Sequence, residues 1–378
     1  MARRSRLFSL SALTRAYQRN LKALVRATRP APAKRRKAVA AKPLLKDAPA
    51  TARRSAAGAP RAAARKPRSV APAEWVAGVA PGPAGARRYH LFVPPGLAPL
   101  PGETFPLLVM LHGCGQTGRD LAASSRMNRL AARERFLVLY PEQERVANAH
   151  GCWNWFERRN GKADAEAATL LAAVDKVAKR YSVDLSRVAV AGLSAGASMA
   201  VLMAALYPHR FCAVAMHSGV APGTAESAAT AIAAMHGRRD AHLPVAILPQ
   251  VPTQAAAAAG VTVPGAAQPA ALPPLLVLHG DADGVVSVRN AAATASLWAQ
   301  TLGARAGPVR TLQRGQRHAT QVTEFKARGR TVVALREVVG LAHAWSGGAA
   351  DHSYSDPAGP DASALVWAFV ARQFSAKK

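Results

Sequence analysis

From residue 88 onward the chain alternates between short, continuously apolar runs and longer stretches in which apolar positions recur every three or four residues. The clearest run is Pro106-Leu107-Leu108-Val109-Met110-Leu111, closed by His112-Gly113. A strand with no polar face is covered on both sides, as in a parallel sheet layered between helices. Comparable runs at 136–140, 188–191, 211–216, 275–278 and 331–338 predict further strands. Residues 88–94 mix polar and apolar positions and stop at Pro94, so an edge strand is expected there. Helical spacing predicts helices over 121–133, 163–179, 197–206 and 291–301. Strands alternating with helices give an α/β fold class: a mostly parallel, doubly wound sheet with helices on both faces. Ligands of such sheets sit beyond the carboxyl ends of the strands.

The first 70 residues break this pattern. They hold 20 of the 50 lysines and arginines and one acidic residue, Asp47, within a chain of 378 residues and formal net charge +29. Residues 10–29 place Leu10, Leu13, Tyr17, Leu21, Leu24 and Val25 within an arc of about 120° on a helix, opposite Arg15, Arg19, Lys22, Arg26 and Arg29. A basic amphipathic helix is expected, either lying on an anionic or apolar surface or docked on the domain behind it. The Ala/Pro/Lys/Arg tract that follows has too few large apolar residues to order itself, and a polyanion or a negatively charged surface suits it. The chain therefore divides into a basic extension, 1–70, and one catalytic-sized domain, 71–378. A further Ala/Pro-rich insertion is expected over about 222–272, centred on Gln254 to Gly260.

Three motifs fall at predicted strand ends. Gly192-Leu193-Ser194-Ala195-Gly196 lies between the 188–191 strand and the 197–206 helix, the layout of a nucleophile elbow. A serine hydroxyl is a poor nucleophile, so it must be held where a base reaches one side of the oxygen and a carbonyl the other. Glycines two before and two after Ser194 leave room for so tight a turn. Chance supplies Gly-x-Ser-x-Gly in a chain of this length with probability of roughly 0.1, so the surrounding motifs decide. His112-Gly113-Cys114-Gly115-Gln116-Thr117 follows the 106–111 strand, which makes the amides of Cys114 and Ala195 candidate oxyanion donors. After the 275–278 strand comes His279-Gly280-Asp281-Ala282-Asp283. There Asp283 and Asp281 compete to orient a base, the other being left to cap a helix starting near Val288. His343, in the glycine-rich run 340–348, lies after Ser194 and Asp283 and close behind a strand. His352 is the alternative, and His318 sits in a basic loop. The chain order Ser194, Asp283, His343 is that of α/β-hydrolases.

Other residues narrow the chemistry. Trp153, Trp155 and Trp345 either line an apolar acyl or aromatic pocket or support the loops as core aromatics. Cys114, Cys152 and Cys212 cannot all pair and are too few for a disulfide scaffold; Cys212, inside an apolar run, is expected to be a buried thiol. Histidines and cysteines show no zinc-type spacing, so neither a metal nor a cofactor is expected. No stretch of 18 apolar residues predicts a membrane span. Residues 1–8 resemble a twin-arginine leader, but Arg15 and Arg19 break the apolar part, so no cleaved leader is expected.

Residues 85–372 resemble the catalytic domain of type 1 short-chain polyhydroxyalkanoate depolymerases, grouped with feruloyl and acetylxylan esterases. The resemblance rests on Leu111 to Gln116, Tyr140-Pro141, Cys152-Trp153-Asn154-Trp155-Phe156, Gly192 to Gly196, His279-Gly280 with Asp283, and His343-Ala344-Trp345-Ser346-Gly347-Gly348. It implies an α/β-hydrolase fold and a serine esterase. In it Ser194 is the nucleophile, Asp283 the orienting acid, His343 the base and Cys114 an oxyanion amide. It also implies a Cys114–Cys152 pair, leaving Cys212 as the third thiol. The implied substrate is poly(3-hydroxybutyrate) or another short-chain polyhydroxyalkanoate, with feruloyl or acetylxylan esters as the alternative. The 222–272 insertion departs from the compact lid-like segment usual there. A reading of a different class makes the chain a binder of polyanions, of a polymer granule or of an anionic membrane surface through residues 1–70. Location is left open: a disulfide and the resemblance imply the extracellular region, whereas the lack of a clear leader implies the cytoplasm or a granule.

Overall fold

The computed structural model describes residues 72–97, 102–244 and 271–374. The 10–29 helix, the basic tract behind it and the 245–270 part of the expected insertion lie outside the described residues. Eleven strands form one sheet: β1 (Glu74–Ala80), β2 (Arg87–Val93), β3 (Phe105–Leu111), β4 (Leu137–Pro141), β5 (Val183–Leu193), β6 (Ala213–His217), β7 (Leu275–Gly280), β8 (Arg305–Ala306), β9 (Arg310–Leu312), β10 (Thr320–Ala327) and β11 (Arg330–Val338). Their spatial order is β1-β2-β4-β3-β5-β6-β7-β11-β10-β8, with β9 paired to β10. From β4 through β3, β5, β6 and β7 to β11 every neighbouring pair is parallel.

Burial explains the continuous apolar runs. All seven residues of β3 are buried, and alternate residues serve two separate cores. Leu107, Val109 and Leu111 pack with α3 (Lys162–Arg180), α4 (Ala195–Leu206) and α6 (Arg289–Thr301). Leu108 and Met110 pack on the other face, with α1 (Gly118–Ser125), α2 (Met127–Glu134) and α7 (Ala362–Phe374). Each core leucine so enclosed contributes about 2–3 kcal/mol of burial. A short helix, α5 (Ala228–Met235), forms a third, smaller cluster with Phe156, Val220 and Val286. No helix among the described residues is long and apolar enough to cross a membrane.

Two expectations need correction, and one strand was not foreseen. The 88–94 strand is not an edge: β2 pairs antiparallel with β4 on one side and with β1 on the other. The half-exposed, mixed sequence of β1, Glu-Trp-Val-Ala-Gly-Val-Ala, carries too weak a pattern to announce the true edge. The single helix expected over 121–133 is two, because Arg126 turns left-handed, with φ 57° and ψ 21°, between α1 and α2. Finally, β10 pairs along nearly all of β11 as an antiparallel hairpin. Its residues Thr320 to Ala327 bury only Thr320 and Val322, so no continuous apolar run marks it.

The parallel register places the future site. Leu111 is level with Gly192, Leu193 with His217, His217 with Leu278, and Gly280 with Val338. The loops that begin at His112, Ser194, Ser218, Asp281 and Val339 therefore leave the carboxyl ends of the parallel strands together.

Candidate active site

Ser194 occupies the single residue between β5 and α4, with φ 57° and ψ −121°. A non-glycine residue holds so unfavourable a backbone only where its surroundings force it. They do: a Cβ on Gly192 would strike the Gly196 carbonyl, and one on Gly196 would strike the Leu111 carbonyl on neighbouring β3. The Ser194 amide donates to the His217 carbonyl at 2.9 Å, and its own carbonyl accepts the Ser198 amide at 3.0 Å. Strand, strained turn and helix thus hold half-buried Ser194 at the carboxyl end of β5.

The loop after β3 stands against this turn, and a methyl placed on Gly113 would be 3.5 Å from Ser194 Cβ. Its conformation is fixed from several directions. Gln116 Oε1 accepts the Gly113 amide at 3.0 Å, the Gly115 amide donates to the His150 carbonyl at 3.0 Å, and Cys114 is joined to Cys152 by a disulfide. His112 is wholly buried and accepts the Gln143 amide on Nε2 at 3.1 Å, while its carbonyl accepts the Trp153 indole N–H at 3.0 Å. Burial pushes the His112 imidazole down to about 4, so the ring is neutral near pH 7. The amides of Cys114 and Ala195 donate to no acceptor among the described residues, as donors reserved for an incoming oxyanion do.

His343 Nδ1 and Asp283 Oδ2 are 2.7 Å apart, both side chains buried. Asp283 Oδ1 accepts the amides of Val285 and Val286, each at 2.9 Å, so the carboxylate is gripped at both oxygens. Burial pushes its carboxyl up, but hydrogen bonds from His279 and His343 outweigh it and hold the group well below the usual carboxylate range. With Nδ1 turned to Asp283, Nε2 is the nitrogen left for chemistry. Asp281 plays a different part, because its Oδ1 accepts the Gly340 amide at 2.7 Å and anchors the loop that carries His343. Neither aspartate caps α6, whose N-cap is Val288 with no side-chain hydrogen bond.

One residue joins the two halves. His217 gives its carbonyl to Ser194, accepts the Ser346 amide on Nε2 at 3.2 Å, and stacks on Trp345 with centroids 5.1 Å apart. Burial, with the neighbouring His279 and His343, pushes its imidazole down to about 3, leaving it a neutral acceptor. Trp153 and Trp345 are buried, and the Trp345 indole N–H donates to Ser363 Oγ at 3.1 Å, so both support loops. Trp155 alone of the three is half-buried, edge-on to Phe156. His352 is exposed beside Asp351, and His318 pairs with Asp356 at 3.4 Å; neither reaches Asp283. Cys212 is buried outside the disulfide.

Sequence reasoning gave no role to His217, Glu166 or His279, although His279 stood in the motif that carries Asp283. Two of them shared a signal, a histidine closing an otherwise apolar strand, as at Leu278-His279-Gly280 and Met216-His217-Ser218. Glu166 gave none: it is a buried helix position whose carboxylate takes Arg87, the Gln143 amide group and the Asn154 backbone.

A strained serine turn, a free pair of amides and a carboxylate-held histidine on an α/β sheet narrow the possible relatives. The sequence profile of the esterase PHB depolymerase family matches residues 87–311, more than half of the chain. The chain belongs to that family. Within it, 115 residues are 42% identical to poly(3-hydroxyalkanoate) depolymerase C of Paucimonas lemoignei, covering 30% of this chain and 28% of that protein. Over 223 residues the chain is 30% identical to probable acetylxylan esterase A of Aspergillus clavatus, covering 57% of this chain and 66% of the relative. Over 144 residues it is 34% identical to feruloyl esterase B of Neurospora crassa, covering 38% and 48%. The chain thus spans less than two-thirds of each of these relatives. The acetyl xylan esterase structure from Aspergillus awamori aligns over 72% of this chain and 93% of its own, with a TM-score of 0.50 and 21% identity. That likeness is one of fold, the α/β-hydrolase fold that the strand order describes.

Proposed function

We propose that this member of the PHB depolymerase esterase family is a serine esterase working through an acyl-enzyme. The observation that carries the reading is the 2.7 Å contact between His343 Nδ1 and the buried Asp283 carboxylate, past the same carboxyl ends of the sheet where Ser194 is held strained. His343 Nε2 takes the Ser194 proton as the oxygen attacks an ester carbonyl, and the amides of Cys114 and Ala195 receive the charge that forms on the carbonyl oxygen. The same proton passes to the leaving alkoxide, which departs as an alcohol. Water then repeats the sequence on the acyl-enzyme and releases the acid. Asp283 stabilises the imidazolium that forms in each step.

The acyl group is a short hydroxyacyl unit, with poly(3-hydroxybutyrate) or a related short-chain polyhydroxyalkanoate as substrate. Its support is the 42% identity to the Paucimonas depolymerase. The acetylxylan or feruloyl reading has support of its own, since the Aspergillus relative covers nearly twice as much of this chain. Trp155, half-buried, is the aromatic offered to either acyl group. Binding of a granule or polyanion by residues 1–70 is compatible with both. Hydroxybutyrate oligomers, acetylated xylan and methyl ferulate assayed in parallel separate the substrates, and the depolymerase reading requires the oligomers to give the highest kcat/KM. Ser194→Ala is expected to abolish hydrolysis of short-chain p-nitrophenyl esters while the protein stays folded; unchanged turnover contradicts the esterase reading.

A further inference from the structure

Asp283 receives two imidazoles on one oxygen. Oδ2 faces His343 Nδ1 at 2.7 Å and His279 Nε2 at 3.3 Å. His279 stands in β7, fully buried, and its Nε2 also lies 2.9 Å from the Val286 carbonyl. A carbonyl only accepts, so His279 Nε2 carries a proton, shared between the Val286 carbonyl and the Asp283 carboxylate. The other nitrogen, Nδ1, is buried with no hydrogen-bond partner among the described residues. An orphaned buried acceptor opposes folding, and β7 is otherwise Leu-Leu-Val-Leu up to this point. For packing alone, an apolar side chain would serve better at position 279. What the imidazole adds is the N–H turned to Asp283.

We propose that His279 is a positioning residue for the hydrolysis: its shared Nε2–H fixes the Asp283 carboxylate and limits how strongly Oδ2 stabilises the His343 imidazolium. This rests on the serine-esterase reading above. The groups around the shared oxygen are few. His217 faces it from β6 and is held neutral by burial, His343 faces it from the loop after β11, and Asp281 is turned away to the Gly340 amide. Each donor on a carboxylate disperses part of its charge, so a carboxylate with one donor fewer binds the remaining imidazolium more tightly. Loss of the His279 donor therefore raises the pH at which His343 gives up its proton. His343 must be neutral to act as base, so the acid limb of kcat/KM moves to higher pH.

The test compares His279→Leu, which has no donor, with His279→Gln, whose side-chain amide keeps one. In His279→Leu the acid limb is expected to rise by about half a pH unit, with KM unchanged and Tm within a few degrees, because Asp283 keeps three of its donors. His279→Gln is expected to restore the wild-type limb. A limb that stays put in His279→Leu, or moves equally in both variants, overturns the proposal. If His279→Leu does not fold, His279→Phe supplies a planar ring without a donor. NMR titration of His343 in a Ser194→Ala background reads the same coupling without turnover. If the wild type hydrolyses no ester, the functional reading fails, yet the titration still decides: a raised His343 midpoint in His279→Leu supports the role of His279, and an unchanged one refutes it.

Discussion

On the Ser194 side of the site the controlling contacts are steric. The turn is tight because Gly192 and Gly196 let β5, α4 and β3 approach to backbone contact, and Ser194 is strained as a result. On the Asp283–His343 side, position comes from hydrogen bonds: two amides and two imidazoles on one carboxylate, and the Asp281 carboxylate on the amide that opens the His343 loop. A site built both ways has two kinds of weakness. The Ser194 side is harmed by added atoms and the Asp283–His343 side by removed donors or acceptors. His217 lies between them: its carbonyl accepts the Ser194 amide, and its Nε2 accepts the amide of Ser346, three residues past His343.

Substitutions of opposite kind break the comparison most sharply. Asp283→Asn keeps the shape but offers an amide where His343 Nδ1 needs an acceptor, so the ring takes the wrong tautomer. A fall of about 10,000-fold in kcat with little change in Tm is expected, measured by steady-state hydrolysis of a p-nitrophenyl ester beside thermal melting. Gly196→Ala adds one methyl against the Leu111 and His112 carbonyls. At least about 100-fold loss of kcat from misplaced groups, together with about 3 kcal/mol of lost stability from overpacking, is expected by the same assays. If instead Gly196→Ala leaves Tm intact and Asp283→Asn unfolds the protein, the division between steric and hydrogen-bonded halves is wrong.

The positions of the candidate site residues were legible because serine, carboxylate and histidine each stand just past a readable strand. The glycine spacing about Ser194, the carboxylate after 275–278 and the histidine in a glycine loop all stand where the sequence placed them, and α/β alternation told of the parallel strands. Legibility failed where a pattern is weak or a partner distant. Strand β1 has half-exposed residues and no period to read, and β10 buries two of its eight. The bonds between Ser346 and His217, or Asp281 and Gly340, span 129 and 59 residues and leave no local mark.

Smaller effects sharpen the picture. Burial holds His112 and His217 at about 4 and about 3, against an ordinary value of 6.5. The unfolded chain therefore binds more protons than the folded one between those values. Stability is expected to fall as pH drops below 6.5, with a slope approaching about two protons near pH 5; urea midpoints from pH 7 to 4.5 measure it, and a flat profile contradicts the neutral, buried assignment of both rings. Asp281→Ala frees only the Gly340 amide of an otherwise anchored loop, so a loss of about 1 kcal/mol or less and a few-fold change in kcat are expected in urea melts and ester assays.

The mechanism proposed above has Ser194 forming a covalent acyl-enzyme with His343 as its base. Intact-mass measurement during reaction with a slow p-nitrophenyl ester tests it directly. A single acyl adduct is expected, mapped by peptide digestion to Ser194, absent in Ser194→Ala and formed far more slowly in His343→Ala. An adduct on another residue, or equal labelling of Ser194→Ala, contradicts the account.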